Sequence, residues 1–288
     1  MNNNKKGIAL AILAAALYAI STPVSKLLLS YVPSTLLAGL LYLGAGFGMS
    51  AVGLIQGARG RGRDEARLGK GDTPYVILMI LLDIAAPILL LLGLSRATAE
   101  NVSLLNNFEI VATALIALLF FGERISPRLG IAIGLIAVAS AILSFESAES
   151  LEFSVGSLLV IAATCCWGLE NNCTRKLSDK DPLQIVIIKG LCSGAGSLVI
   201  GLAIGERVEN IGYAAIALAL GFVAYGLSIF AYVYAQRMIG AARTGAYYAI
   251  APFIGSTLSL LIFPKAPPLT FFIAMGIMGI GSYLAAKE

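Results

Sequence analysis

"SLLNNFEIVATALIALLFF", residues 103–121, decides how the chain is read. It is apolar and long enough to make up most of a membrane span, which needs roughly 20 apolar residues. Yet Asn106, Asn107 and Glu109 stand near its start. A charged side chain at the centre of a membrane helix costs about 2.5–3.5 kcal/mol on insertion scales. A carboxylate kept there points to a function or to a dedicated partner.

The surrounding chain has the same character. Of 288 residues, 58% are hydrophobic and 12% charged, with a mean hydropathy of +0.89. Water-soluble domains carry about 25% charged residues, so this surface would be too poorly charged for a soluble globule. The apolar runs are continuous rather than alternating, which excludes a membrane β-barrel. Counting them gives ten spans, at about 7–29, 35–56, 74–94, 99–121, 128–145, 155–177, 183–204, 213–236, 241–263 and 268–286. The opening "MNNNKKGIALAILAAALYAI" has the lysines and apolar run of a signal peptide, but the run continues to about Leu29. That is too long for a signal h-region and reads as an uncleaved first helix.

Lys and Arg are distributed unevenly. Lys5, Lys6, Arg59, Arg61, Arg63, Arg67, Lys70, Arg124, Arg128 and Lys287 all fall on the side of the N-terminus, and few fall opposite. The positive-inside rule therefore places both termini in the cytoplasm of a multi-pass protein of the cell (inner or plasma) membrane. The segment "SFESAESLEFS" (144–154) has no Lys or Arg and falls outside. This bias accounts for the net charge of +4, so no nucleic-acid partner is read from it. The partners expected are membrane lipid and a small-molecule substrate, for a monomer or homodimer.

The chain has no histidine. That removes HExxH zinc chemistry, histidine haem ligation and Ser–His nucleophiles. Cys165, Cys166, Cys173 and Cys192 form no CxxC pair and read as small core residues. No metal, cofactor or catalytic residue is expected, and the protein does not read as an enzyme. A two-aspartate intramembrane protease would need a second deep aspartate beside Asp83.

An internal repeat is visible. "LYAISTPVSKLLL" (17–29) aligns with "CWGLENNCTRKLS" (166–178) at a shift of 149 residues. Tyr18 then matches Trp167, Ser21 Glu170, Thr22 Asn171 and Ser25 Thr174. Each set follows i, i+3, i+4, i+7, one face of a helix. At a shift of 142, residues 93–126 resemble 235–268, and Asp83 matches Tyr225, which shares a face with Ser228, Tyr232 and Gln236. The chain thus divides into 1–149 and 150–288, with five spans in each. Five is odd, so the second half enters the membrane from the opposite side. The expected fold is an all-α integral membrane protein of ten transmembrane helices in two inverted five-helix repeats. Transporters of that design bind substrate near the midplane, between the halves.

These residues resemble the EamA-type branch of the drug/metabolite transporter superfamily. The resemblance rests on Tyr18 and Lys26 in the first helix, "RATAENVSLLNNFEIV" in the fourth and "FFGERIS" after it. "RTGAYYAIAPFIGS" carries it in the second half. Where such proteins often read Glu-Pro, the fourth helix has Glu109-Ile110, and the ninth has Ala251-Pro252. The resemblance implies ten helices and transport, usually export, of small metabolites or drugs. It fixes no substrate.

Five charges lie inside the spans: Lys26, Asp83, Glu109, Glu170 and Lys189. Glu109 is about ten residues into its helix, roughly 15 Å deep, and shares a face with Asn106 and Thr113. Asp83 lies one turn before Pro87, which frees a backbone carbonyl and can kink the helix; its competing reading is a static pair with a lysine. Both carboxylates are candidates for substrate binding and for proton exchange near neutral pH. Tyr18, Thr22, Asn106, Trp167, Asn171 and Tyr248 are the further substrate-binding candidates, the aromatics offering cation–π contact. Glu170 and Lys189 read as an ion pair with a gating or structural role. Lys26 reads as snorkelling to the interface or as binding a substrate carboxylate. Gly44/Gly48, Gly130/Gly134 and Gly190/Gly194 are small-xxx-small pairs suited to close helix packing, with a dimer face as the alternative. Pro23 and Pro252 are placed to break helices beside a cavity.

The function expected is a secondary active transporter. It would move an amino-acid-like or organic-cation metabolite by alternating access, outward, with Glu109 exchanging a proton. A facilitative uniporter, an exchanger or a channel without proton coupling is the alternative.

Overall fold

The computed structural model describes residues 3–58, 66–122, 125–145, 154–177, 180–239, 244 and 247–287. The basic run at 59–65, Glu123 and most of the acidic segment 144–154 lie outside the described residues, as do the side chains of Arg175 and Gln236.

Eight helices are long and apolar enough to cross a membrane. The first span comprises α1 (Asn3–Ala19) and α2 (Ser21–Leu28), and the second is α3 (Ser34–Ala58). The third is α4 (Thr73–Arg96). The fourth comprises α5 (Ala99–Leu105) and α6 (Phe108–Phe121), and the fifth is α7 (Pro127–Ser144). The seventh contains α9 (Pro182–Ile188) and α10 (Gly194–Ala203), joined by a π-helical stretch, Lys189–Ser193. The eighth contains α11 (Ile211–Gly221) and α12 (Ser228–Ile239), joined by a second, Phe222–Leu227. The tenth is here α14 (Leu269–Ala286).

Two further segments complete the ten. The sixth span, α8 (Val155–Lys176), is 22 residues long, but its second half carries Glu170, Asn171 and Asn172. The ninth is apolar but short, with only 12 residues in α13 (Ala251–Ile262). The first, fourth and ninth spans are each interrupted, at Ile20, at 106–107 and at 249–250. The last two breaks fall within one residue of the 142-residue register. Pro23 and Pro252 lie just past two of them, and each lacks the N–H that would close the preceding turn.

The tightest packing runs between the halves. The first span packs on the eighth and the third on the sixth. The second packs on the seventh, the fourth on the ninth and the fifth on the tenth. The second also packs on the eighth and the fourth on the sixth; adding or subtracting five spans turns the first five pairs into themselves. The second and eighth spans approach backbone to backbone: a Cβ on Gly44 would sit 2.0 Å from the Leu218 carbonyl oxygen, and one on Gly221 would sit 1.9 Å from that of Leu41. Gly190 stands equally close to Gly46. The pair Gly130/Gly134 differs from the packing expected of it. A Cβ on Gly134 would meet nothing within 4 Å among the described residues, because this face of α7 turns away from the bundle.

Charged side chains fasten helix ends on the face opposite the termini. Lys26 Nζ donates to the Ala97 carbonyl at 2.7 Å and also to that of Leu94. These are carbonyls left free at the C-terminal end of α4, where a cation is favoured. Lys26 thus joins the end of the first span to the end of the third. Glu206, between the seventh and eighth spans, accepts from Leu36 N at 2.9 Å and from Thr35 N at 3.4 Å, capping α3.

Candidate functional site

The break in the fourth span sets the site. The chain turns at Asn106 and Asn107, and α6 restarts at Phe108 with Glu109 in its first turn. A helix N-terminus favours an anion, so the local backbone complements the carboxylate. Facing it is α8, which comes close because residue 168 is glycine: a Cβ there would lie 2.7 Å from that of Ala112. Asn171 Nδ2 donates to Glu109 Oε1 at 2.6 Å and to Thr113 Oγ1 at 3.3 Å. Asn172 Nδ2 donates to the carbonyls of Thr113 and Gly168. Two asparagines of the second half thus hold the acid-bearing helix of the first.

Above this contact lies a cavity of about 410 Å³. Glu109, Thr113 and Ala117 line it along α6, Asn171 along α8, Tyr232 along α12, and Tyr248 and Pro252 flank the ninth-span break. Tyr18 and Asn106 close its inner end. The cavity extends along α6 towards the face that bears the termini. In the other direction the space narrows to about 10 Å³ beside Thr22, Ser103 and Gly255. A Cβ on Gly255 would stand 3.1 Å from both the Ala19 carbonyl and Ser103 Oγ, so the first, fourth and ninth spans close on small residues there.

A second polar cluster lies deeper. Lys189, at the start of its π-helical stretch, stands 2.9 Å from Glu170 Oε1 and 3.2 Å from Asp83 Oδ2. Tyr42 donates its hydroxyl to Asp83 Oδ1 at 3.0 Å, and Thr174 donates to Glu170. Two carboxylates share one ammonium, and Asp83 is wholly buried. Rings connect the cluster to the cavity: Tyr42 to Tyr225 at 5.4 Å, Tyr225 to Tyr18 at 5.8 Å and Tyr18 to Tyr248 at 5.9 Å between centroids.

The structure therefore sorts the candidates into groups. Glu109, Asn106, Asn171, Tyr18 and Tyr248 come together around the cavity. Asp83 does not join them; its carboxylate lies against Lys189 and Tyr42. Trp167 is buried in the main core and does not line the cavity. Thr22 sits at the constriction. Four polar lining residues, Asn107, Thr113, Asn172 and Tyr232, were outside the expected set. The signal for Tyr232 was its shared face with Tyr225 and Ser228; Asn172 was hidden beside Asn171.

A model of the EamA-like transporter family matches the chain twice, over residues 5–145 and 154–286. An uncharacterized transporter of Methanothermobacter thermautotrophicus is 28% identical, covering 93% of this chain and 81% of its own. The uncharacterized transporter YyaM of Bacillus subtilis is 24% identical over 75% of this chain and 72% of its own. A solved crystal structure superposes with a TM-score of 0.68 at 18% identity, covering 96% of this chain and 95% of that one.

Proposed function

The chain belongs to the EamA-like transporter family, and from that premise we propose that it is an alternating-access carrier whose substrate binds at Glu109. The observation that carries this is the cavity itself. It is lined by both halves, holds a carboxylate near the midplane and is closed beyond Gly255. Asn106, Asn171, Tyr18 and Tyr248 complete the binding site.

The halves, 1–149 and 150–288, are inverted repeats in this reading. The exchange of helix pairs on adding five spans and the matched breaks in the fourth and ninth spans support it. Rocking one half against the other opens the constriction at Thr22, Ser103 and Gly255 and closes the cavity. In this reading the protein lies in the cell membrane with both termini in the cytoplasm, which the basic residues near them support. The cavity then loads from the cytoplasm, which suits an exporter. Glu109 binds either the substrate or a proton, and this competition couples efflux to proton entry.

Cysteine labelling and flux measurements test this reading. Ala114→Cys, in the cavity, should react with an impermeant maleimide from the face bearing the termini, and Ser103→Cys should react from neither face at rest. In proteoliposomes, Glu109→Gln should abolish proton movement driven by a transported solute. Coupled flux that survives Glu109→Gln at the wild-type rate would remove Glu109 from the mechanism.

A further inference from the structure

We propose that the cavity takes a protonated monoamine with an apolar or aromatic body, and that an amino acid fits it poorly. This rests on reading the Glu109 cavity as the substrate site. The charges of the cavity come first. Its described lining holds one carboxylate and no Lys or Arg. The nearest buried ammonium, Lys189, is already shared by Asp83 and Glu170, so that cluster is itself formally negative by one charge. In a low-dielectric interior such charges act over long distances. They favour a cation and, among the described residues, offer no counter-charge to a carboxylate.

The hydrogen-bonding groups narrow the class. Glu109 Oε1 accepts from Asn171, and its second oxygen accepts nothing among the described residues. That oxygen calls for an N–H donor on the ligand, which a quaternary ammonium lacks. The rings of Tyr18, Tyr232 and Tyr248 surround the same space, with Tyr232 and Tyr248 in edge-to-face contact at 4.9 Å. They offer cation–π contact to the nitrogen and a wall for an apolar body.

An amino acid would also need donors for its carboxylate, and the N-terminus of α13 is where they would be sought. Few are offered there: Pro252 has no N–H, and Phe253 N and Ile254 N both donate to the Ile250 carbonyl. At the other break, Glu109 N and Ile110 N donate to the carbonyls of Asn106 and Asn107. A single carboxylate likewise leaves the second charge of a diamine unmatched.

Calorimetry on the purified full chain in detergent, with phenethylamine, phenylalanine, phenyltrimethylammonium and 1,4-diaminobutane, tests this. Phenethylamine should bind, and each of the others should bind at least about tenfold more weakly. Glu109→Gln should weaken the amine by at least about tenfold, the loss of a charge-assisted hydrogen bond. Ala114→Phe, which fills the cavity without touching the carboxylate, should abolish binding; both variants are first checked for monodisperse elution. Phenylalanine binding as tightly as the amine, and lost in Glu109→Gln, overturns the monoamine inference and leaves the cavity reading in place. Amine binding unchanged in both variants overturns both. No binding by any probe up to about 10 mM overturns the inference, while the labelling experiment still decides the cavity.

Discussion

Glu170 and Asn171 are consecutive residues of α8, yet they serve regions of opposite character. Glu170 points into a closed cluster, where Lys189 lies within 3.2 Å of both carboxylates and Tyr42 satisfies Asp83. Asn171 points to Glu109, a carboxylate held by a neutral amide on the wall of a 410 Å³ cavity. Both regions put acids where a membrane protein can hold them only with compensation. In the cluster the compensating cation is part of the chain. In the cavity it is left to a ligand or a proton. On the proposed reading, what separates a structural acid from a working one is the source of the opposite charge, not depth.

The most severe test of this contrast is Lys189→Met. It leaves Asp83 and Glu170 buried beside each other without a cation. Removing one partner of a buried ion pair costs about 3–5 kcal/mol, so the melting temperature in detergent should collapse. The triple variant Asp83→Asn, Glu170→Gln, Lys189→Met should recover most of the loss. Glu109→Gln, by contrast, should melt within a few degrees of wild type, since no cation of the chain is stranded. Equal destabilisation by Lys189→Met and Glu109→Gln would erase the distinction between the two regions.

A smaller effect is expected at the amide that holds the acid. Asn171→Leu removes the 2.6 Å donor to Glu109. A hydrogen bond to a charged group contributes about 1.5–3 kcal/mol, and here the loss should appear as weaker substrate affinity at nearly unchanged cluster stability. Titration calorimetry with the transported solute reads it. An Asn171→Leu protein that binds as wild type does would mean that Glu109 is oriented by something other than α8.

Much of this was legible in the sequence, because the signals were local. The apolar runs located the spans, since length and hydropathy are properties of single segments. Glu109, Asn106 and Thr113 were grouped by helical spacing and the 142-residue register paired the fourth and ninth spans, but the break at 106–107 left no mark in the apolar run. The different fates of Asp83 and Glu109 were not legible. Both are mid-helix carboxylates, and only the meeting of α4, α8 and the seventh span shows that Lys189 serves Asp83 as well as Glu170. The partners of Lys26 were hidden for a similar reason. Its partners are the backbone carbonyls of Leu94 and Ala97, and a free helix end carries no residue signature. Gly130 and Gly134 have the spacing of a packing pair, but spacing does not say which way a helix face turns.

The finest test concerns whether the two regions act independently, and Tyr42→Phe addresses it. Tyr42 belongs to both: its hydroxyl donates to Asp83, and its ring begins the chain through Tyr225 and Tyr18 to Tyr248. Phenylalanine keeps the ring and removes the hydroxyl. If the cluster is only a brace, stability should fall by about 1 kcal/mol, the net value of one buried hydrogen bond, and the affinity of the cavity should not change. The ring contacts that position Tyr18 and Tyr248 survive the substitution, so there is no steric route by which the cavity would sense it. A tenfold change in ligand affinity, or a shift in its pH profile, would mean that protonation at Asp83 is felt at Glu109. The acids would then form one coupled device, with the chain of tyrosines joining its parts.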